Sequence, residues 1–224
     1  MLITYRKLFF IFHRADTEPK CDPVTTVPDF DLFQYTRARW FVHQLAPTRY
    51  VPIEKNYCAY AEYSIREDAT FPWGYTVDVN NYVEDKEGNS YGGELCAYEA
   101  DPTDKAKLGV APCFLPKWLS GPYWVLAYDE KEGYALISGG QPTVATKDGC
   151  RASDVGLESG LWVFLRTRKR NNLKIEKVRR IAKDMGLDVN ILNDVDQTNC
   201  EEDHMEKDSH ENIDKEGTSL IETL

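Results

Sequence analysis

Apolar and polar positions alternate along most of the chain in short runs, the period of strands and not of helices. The clearest case is the pair of runs Tyr123 to Tyr128 and Tyr134 to Ser138, rich in aromatic and aliphatic residues and separated by Asp129-Glu-Lys-Glu-Gly133. Each run is too short for a useful helix, and Gly133 supplies the positive φ that a hairpin loop often requires, so the segment predicts a β-hairpin. A hairpin cannot bury its own apolar face, and further strands must cover it.

Those strands can be read in order. Ala38 to Leu45 is a first strand, ended by Ala46-Pro47, and Tyr57 to Ile65 a second. In the second, Ala59, Ala61, Tyr63 and Ile65 share one face, and Cys58, Tyr60, Glu62 and Ser64 the other. Small residues on the apolar face leave space inside a barrel. Strands three and four, about 74–83 and 91–98, flank the turn Asp85-Lys-Glu-Gly-Asn89, and a weaker strand lies near Lys107 to Val110. The opening hairpin follows, then a long loop from Gln141 to Gly160 that is a candidate lid or insertion. The last strand, Leu161 to Thr167, puts Trp162, Phe164 and Arg166 on one face. Eight strand candidates joined mostly by short turns predict an all-β fold, an eight-stranded antiparallel up-and-down barrel.

One helix stands out. Asn171 or Asn172 can cap it, Leu173, Ile175, Val178, Ile181 and Met185 fall near one face, and Gly186 can stop it. That face suits the outer wall of the barrel. Residues 21–31, with two prolines, read as an extended arm, and Val189 to Leu192 as a last extended segment before Cys200.

The net charge of −10 sits mostly at one end: residues 201–224 hold nine acidic and two basic residues. This tail has little to bury and reads as disordered, with His204 and His210 solvated in it. The remainder is nearly neutral and lacks the clustered Lys and Arg of a nucleic-acid surface. Residues 1–20 carry the five-residue apolar run Leu8 to Phe12, shorter than a signal-peptide core, and are read as a targeting remnant or an arm. With 42% apolar residues the chain has enough for one core, placed at residues 21–200.

Six cysteines, at 21, 58, 96, 113, 150 and 200, lie far apart without close-spaced pairs. That argues against zinc and for three disulfides in an oxidising compartment, although the spacing alone leaves every pairing open, as well as six buried thiols. No metal and no cofactor is expected.

Several motifs then occur in a familiar order. Trp40 follows the lead Asp29-Phe-Asp-Leu-Phe-Gln-Tyr35; then come Pro122-Tyr-Trp-Val-Leu-Ala-Tyr-Asp129 with Tyr134-Ala-Leu136, Trp162-Val-Phe-Leu-Arg166, the helix, and Asp196-Gln-Thr-Asn-Cys200. Over residues 21–200 the chain resembles the lipocalins, in particular apolipoprotein D and the bacterial and plastid lipocalins. The resemblance implies a barrel closed at one end, with the helix outside and a pocket open at the other. It implies that Trp40 and Arg166 form a structural cation–π pair at the closed end. It also implies the bridges Cys58–Cys200 and Cys21–Cys150, leaving Cys96–Cys113. The sequence departs from the family at Ala38, where a Gly is usual two residues before the tryptophan, and at Tyr128-Asp129-Glu130, where only the Asp of the usual turn is kept.

On this reading Ala59, Ala61, Tyr63, Tyr123, Val125, Trp162 and Phe164 face the interior, a lining suited to an elongated apolar ligand with one polar end. The plain alternative is that these side chains fill the barrel. The expected activity is binding and transport or sequestration of a small hydrophobic ligand of the lipid, sterol or carotenoid class, without catalysis. The expectation leaves room for peripheral membrane contact and for a monomer or weak dimer, in the thylakoid lumen or after secretion. The runner-up is an enzyme like violaxanthin de-epoxidase, whose lipocalin domain the chain resembles more distantly. Its aspartates are replaced by Arg49 and Tyr50, leaving Glu54 and Asp78 as the nearby carboxylates. A third reading is a blocked barrel that binds other proteins.

Overall fold

The computed structural model describes residues 20–68, 73–153 and 159–200. The targeting remnant, apart from Lys20, and the acidic tail at 201–224 lie outside the described residues. The eight predicted strands are present as β1 (Trp40–Leu45), β2 (Tyr57–Ile65), β3 (Val77–Glu84), β4 (Ser90–Glu99), β5 (Lys107–Pro112), β6 (Gly121–Asp129), β7 (Tyr134–Ser138) and, after the long loop, β10 (Leu161–Leu165). Each pairs antiparallel with the next, and β10 pairs back with β1, so the sheet closes into an up-and-down barrel. The loop before β10 carries its own small ribbon, β8 (Val144–Ala145) and β9 (Cys150–Arg151). A short β11 (Asn193–Asp194) adds to the end of β1.

Closing a sheet demands sharp bending, and the bends are visible as register shifts. They fall between Val42 and Gln44 in β1, between Tyr57 and Tyr60 in β2, and between Val125 and Ala127 in β6. The β2 irregularity contains Cys58 at φ 52°, a backbone position held there by its disulfide and by the hydrogen bond from its N–H to Asp196 O.

Two helices flank the barrel: α1 (Leu32–Thr36) beneath one end and α2 (Asn172–Asp184) along the side. Asn171 caps α2, its Oδ1 accepting from Lys174 N at 3.0 Å, and Gly186 at φ 79° ends it. Ile175, Val178 and Ala182 are buried against Leu136, Val163 and Leu165, the residues of β7 and β10 that alternate outward. Leu173, expected on this face, is 86% exposed; it stands two residues before the buried Ile175, about 200° away round the helix, and so faces away from the wall. Val189–Ile191 is a 3-10 turn and not extended, with Asp188 capping Asn190 N, and the extended segment comes two residues later as β11. The helix α1 was not legible as such, because five residues are too few to show a helical period.

The three disulfides join Cys21 to Cys150, Cys58 to Cys200 and Cys96 to Cys113, the pairing the family resemblance implied. The first ties the N-terminal arm to β9, the second ties the segment after β11 to β2, and the third fastens the β5–β6 loop to the outside of β4.

Candidate functional site in the barrel interior

The barrel has a closed end and an open end. At the closed end α1 is started by Asp31, whose carboxylate accepts from Gln34 N at 3.1 Å, and this turn directs Tyr35 up into the barrel, where it is fully buried. Trp40 Nε1 donates to Tyr35 O at 3.0 Å, and the Arg166 guanidinium carbon lies 3.6 Å from the Trp40 ring centroid. Arg166 also donates to the carbonyls of Tyr35 at 2.9 Å and Gln34 at 3.0 Å, to that of Ala38, and to Glu130 Oε2 at 2.8 Å. Burial alone would raise the Glu130 carboxyl, but the hydrogen bonds from Arg166, Arg37 and Tyr128 outweigh it and hold it below the usual carboxylate range. Glu130 stands where the turn departs from the lipocalin pattern. The departure therefore supplies the ion pair that closes the barrel end.

Above this lies an aromatic layer. Tyr35 and Tyr123 hydroxyls are 2.5 Å apart, and those of Tyr63 and Tyr123 are 2.8 Å apart. The Tyr35 ring is 5.3 Å from Trp40 and 5.5 Å from both Tyr63 and Tyr128. Burial pushes the Tyr35 and Tyr123 phenols well up and that of Tyr63 to about 12, so all three are neutral near pH 7.

All seven positions read from sequence as interior do alternate inward. Val125 and Phe164 are buried in the core with Trp40 and Tyr35. Tyr63, Tyr123 and Trp162 remain partly exposed against the same cluster. Ala59 and Ala61 are 4% and 3% exposed, so the space beside them is taken: Trp40 sits opposite Ala61 in the register, and Tyr35 enters from below. The room that the alanines suggested is filled by a helix the strand pattern did not foretell.

Open space lies further round the wall. The register carries one inward row from Trp40 to Ala61, Asn81 and Gly93 across β1 to β4. In a barrel with tilted strands such a row climbs from one end toward the other. Exposure rises along it, from 0% at Trp40 and 3% at Ala61 to exposed side chains and backbone at Asn81 and Gly93. A Cβ placed on Gly93 would meet no atom within 4 Å. The interior is thus a cup, packed with aromatics below and open above along β3 and β4. Trp162 lies at its rim, the indole resting on Gly160, where a Cβ would come within 2.1 Å of the ring. Asn81 and Gly93 were missed as site positions. The signal was present in β3, where Asn81 interrupts the inward set Val77, Val79 and Val83.

Of the two carboxylates considered for chemistry, Asp78 alternates outward and pairs with Arg66 at 3.0 Å, whereas Glu54 lies exposed in the β1–β2 loop, in a depression it lines with Arg49 and Gly160 near the rim. Among the described residues, the one group with metal-ligating atom types is Asp78, Cys96 and Cys113, and both sulfurs are in a disulfide. No helix among the described residues is long and apolar enough to cross a membrane.

No protein-family model matches the chain, and no curated protein matches it by sequence. Solved structures do. Lobster apocrustacyanin A1 superposes with a TM-score of 0.52 at 16% identity, covering 75% of this chain and 79% of that one. The cockroach allergen Per a 4 gives 0.55 at 13% identity, covering 79% and 94%. At such identities the likeness is one of fold, and the fold is the eight-stranded lipocalin barrel with its helix outside.

Proposed function

We propose that the chain binds a small, largely apolar molecule in the open cup of its barrel and carries or sequesters it chemically unchanged. The observation that carries this reading is the unfilled inward position at Gly93, bordered by the exposed Asn81 on the same row. Apolar wall below, a few hydroxyl and amide groups above, and access from one end are what a concave site for a small apolar ligand requires. A ligand that covered the exposed parts of these walls would gain about 25 cal/mol for each Å² of apolar surface removed from water. A transport role is favoured over catalysis because Asp78 points outward and is paired with Arg66, and Glu54 is solvent-exposed in a loop, while proton transfer needs a carboxyl held within reach of the bound molecule. Three disulfides fit an oxidising compartment, and both secretion and a thylakoid lumen satisfy that condition.

The test is titration of tryptophan fluorescence with fatty acids, sterols and xanthophylls, in the native chain, in Trp162→Phe and in Gly93→Phe. A Cβ on Gly93 meets no atom within 4 Å, so the last variant should project a ring into the cup without a backbone clash. Saturable quenching that is reduced in Trp162→Phe and abolished in Gly93→Phe is the expected result. Quenching indifferent to both changes would place any ligand elsewhere and end this reading.

A further inference from the structure

Four large apolar side chains stand exposed on the outside of the barrel beside β4. Phe114, Trp118 and Leu119 belong to the β5–β6 loop and are 76%, 79% and 38% exposed; Trp73, from the β2–β3 loop, is 46% exposed. Trp73 Nε1 donates to Phe114 O at 3.0 Å, which joins the two loops at this point. Scattered apolar residues on a surface are ordinary, but four on adjoining loops mark a contact surface. The loop beneath them is stiff. Cys113 is bridged to Cys96, the Tyr75 hydroxyl donates to Leu115 O at 2.9 Å, and that of Tyr98 to Lys117 O at 3.3 Å. The 3-10 turn Lys117–Leu119 is closed by Leu119 N donating to Pro116 O and Ser120 N to Lys117 O. The fold itself holds these rings in water, and a partner that buries them has little left to order.

Charge and shape indicate the partner. The chain has 37 acidic residues, yet none falls between Lys105 and Tyr128, so burying this loop strips water from no carboxylate of its own. Lys117 stands between Phe114 and Trp118 in sequence. Its ammonium lies 4.4 Å from the Tyr98 ring centroid and forms no ion pair among the described residues. Asp78, on the same outer face, is already paired with Arg66 at 3.0 Å. The indole N–H of Trp73 is satisfied by Phe114 O and leaves no orphan donor when it is covered. Rings that project, instead of lining a recess, need a partner that yields around them, and aromatic rings beside a lysine suit the headgroup level of a bilayer. We propose that the β5–β6 loop is a docking surface for a phospholipid bilayer: Phe114, Trp118 and Leu119, with Trp73, enter the interface, and Lys117 meets the lipid phosphates. This goes beyond ligand binding in the cup and does not depend on it.

The experiment measures co-sedimentation of the full chain with sucrose-loaded vesicles, of phosphatidylcholine alone and of phosphatidylcholine mixed with phosphatidylserine. It compares the native protein, Phe114→Ser combined with Trp118→Ser, Lys117→Gln, and Leu173→Ser as a control, with near-ultraviolet circular dichroism as the check on folding. Leu173 is 86% exposed on α2, which covers β7 and β10 on the other side of the barrel from β4. The native chain should bind both vesicles, the mixed ones more tightly. The double variant should lose at least about tenfold in partitioning on both, and Lys117→Gln about fivefold on the mixed vesicles. Leu173→Ser should bind as the native chain does. Absence of sedimentation with either vesicle overturns the proposal, and so does partitioning untouched by the double variant or lowered equally by Leu173→Ser. A dimer in analytical ultracentrifugation that the double variant abolishes, without vesicle binding, assigns the patch to a second copy and also overturns it. No small ligand is added, so each of these results leaves the cup reading to its own test.

Discussion

The Arg166 guanidinium carbon lies over the Trp40 indole, 3.6 Å from the ring centroid, and from there the side chain reaches Glu130 across the barrel end. One residue thus joins the last barrel strand, the first, the β6–β7 turn and the carbonyl end of α1. Replacing Arg166 with Met should destabilise the protein by about 3 kcal/mol, because Glu130 loses its more buried partner and the α1 carbonyls lose their donor. In a urea-denaturation cycle with Trp40→Leu, the coupling between the two positions should be about 0.5–2 kcal/mol. Additive losses would mean that the two side chains are neighbours without an interaction.

His43 should make stability fall on mild acidification. It is fully buried, its Nε2 bonds Thr167 O at 2.8 Å and its Nδ1 has no partner among the described residues. Burial holds its pKa below the usual histidine range, with Arg170 acting the same way and the Thr167 carbonyl and Asp194 opposing. The folded value is depressed, so between it and the ordinary value near 6.5 the unfolded chain binds a proton that the folded one does not. Stability is therefore complete above that ordinary value and declines as pH falls through the window beneath it. Urea midpoints at pH 7.5 and 5.5 should differ in the native chain and differ less in His43→Gln, which retains a donor for Thr167. An equal decline in both would assign the effect to other groups.

The bridges should differ in weight. Cys58–Cys200 and Cys21–Cys150 span 142 and 129 residues, Cys96–Cys113 only 17. On the chain-entropy account, replacing Cys58 and Cys200 by Ser costs about 5 kcal/mol and replacing Cys96 and Cys113 about 3. Thermal unfolding of the two double variants tests the order; a reversed ranking would show that local contacts of the β5–β6 loop outweigh loop closure.

Asn171→Ala removes the acceptor for Lys174 N at the start of α2 and should cost about 1 kcal/mol. Asn172→Ala should cost less, since Asn172 is already inside the helix. Chemical denaturation followed at the helical circular-dichroism signal separates the two.

Much of this architecture is written in local pattern. Alternation placed Tyr63, Tyr123, Trp162 and Phe164 on inner faces, because a strand's period of two survives whatever lies opposite it. The order of motifs around Trp40, Arg166 and the cysteines carried the closed end and the bridges. What escaped depends on partners distant in sequence. Ala59 and Ala61 look like vacant space until Tyr35 arrives from a five-residue helix, and Gly93 is open because register sets it beside Asn81 and, among the described residues, no atom comes within 4 Å of a Cβ placed there. Glu130 reads as a loop charge until Arg166, 36 residues on, is folded beside it.

The two long bridges overlap along the chain, and this decides how the protein carries tension. A pull applied at Cys21 and Cys200 has three covalent routes between the same two bridges: along the arm and β1 to Cys58 and across, across to Cys150 and on through β10 and α2, or across to Cys150, back through β7 to β2 and across from Cys58. The route through the strands is the longest of the three. The arm and the C-terminal segment therefore come taut first, and while the bridges hold, two shorter tethers limit how far any tug at the ends of the domain can stretch the wall of the cup.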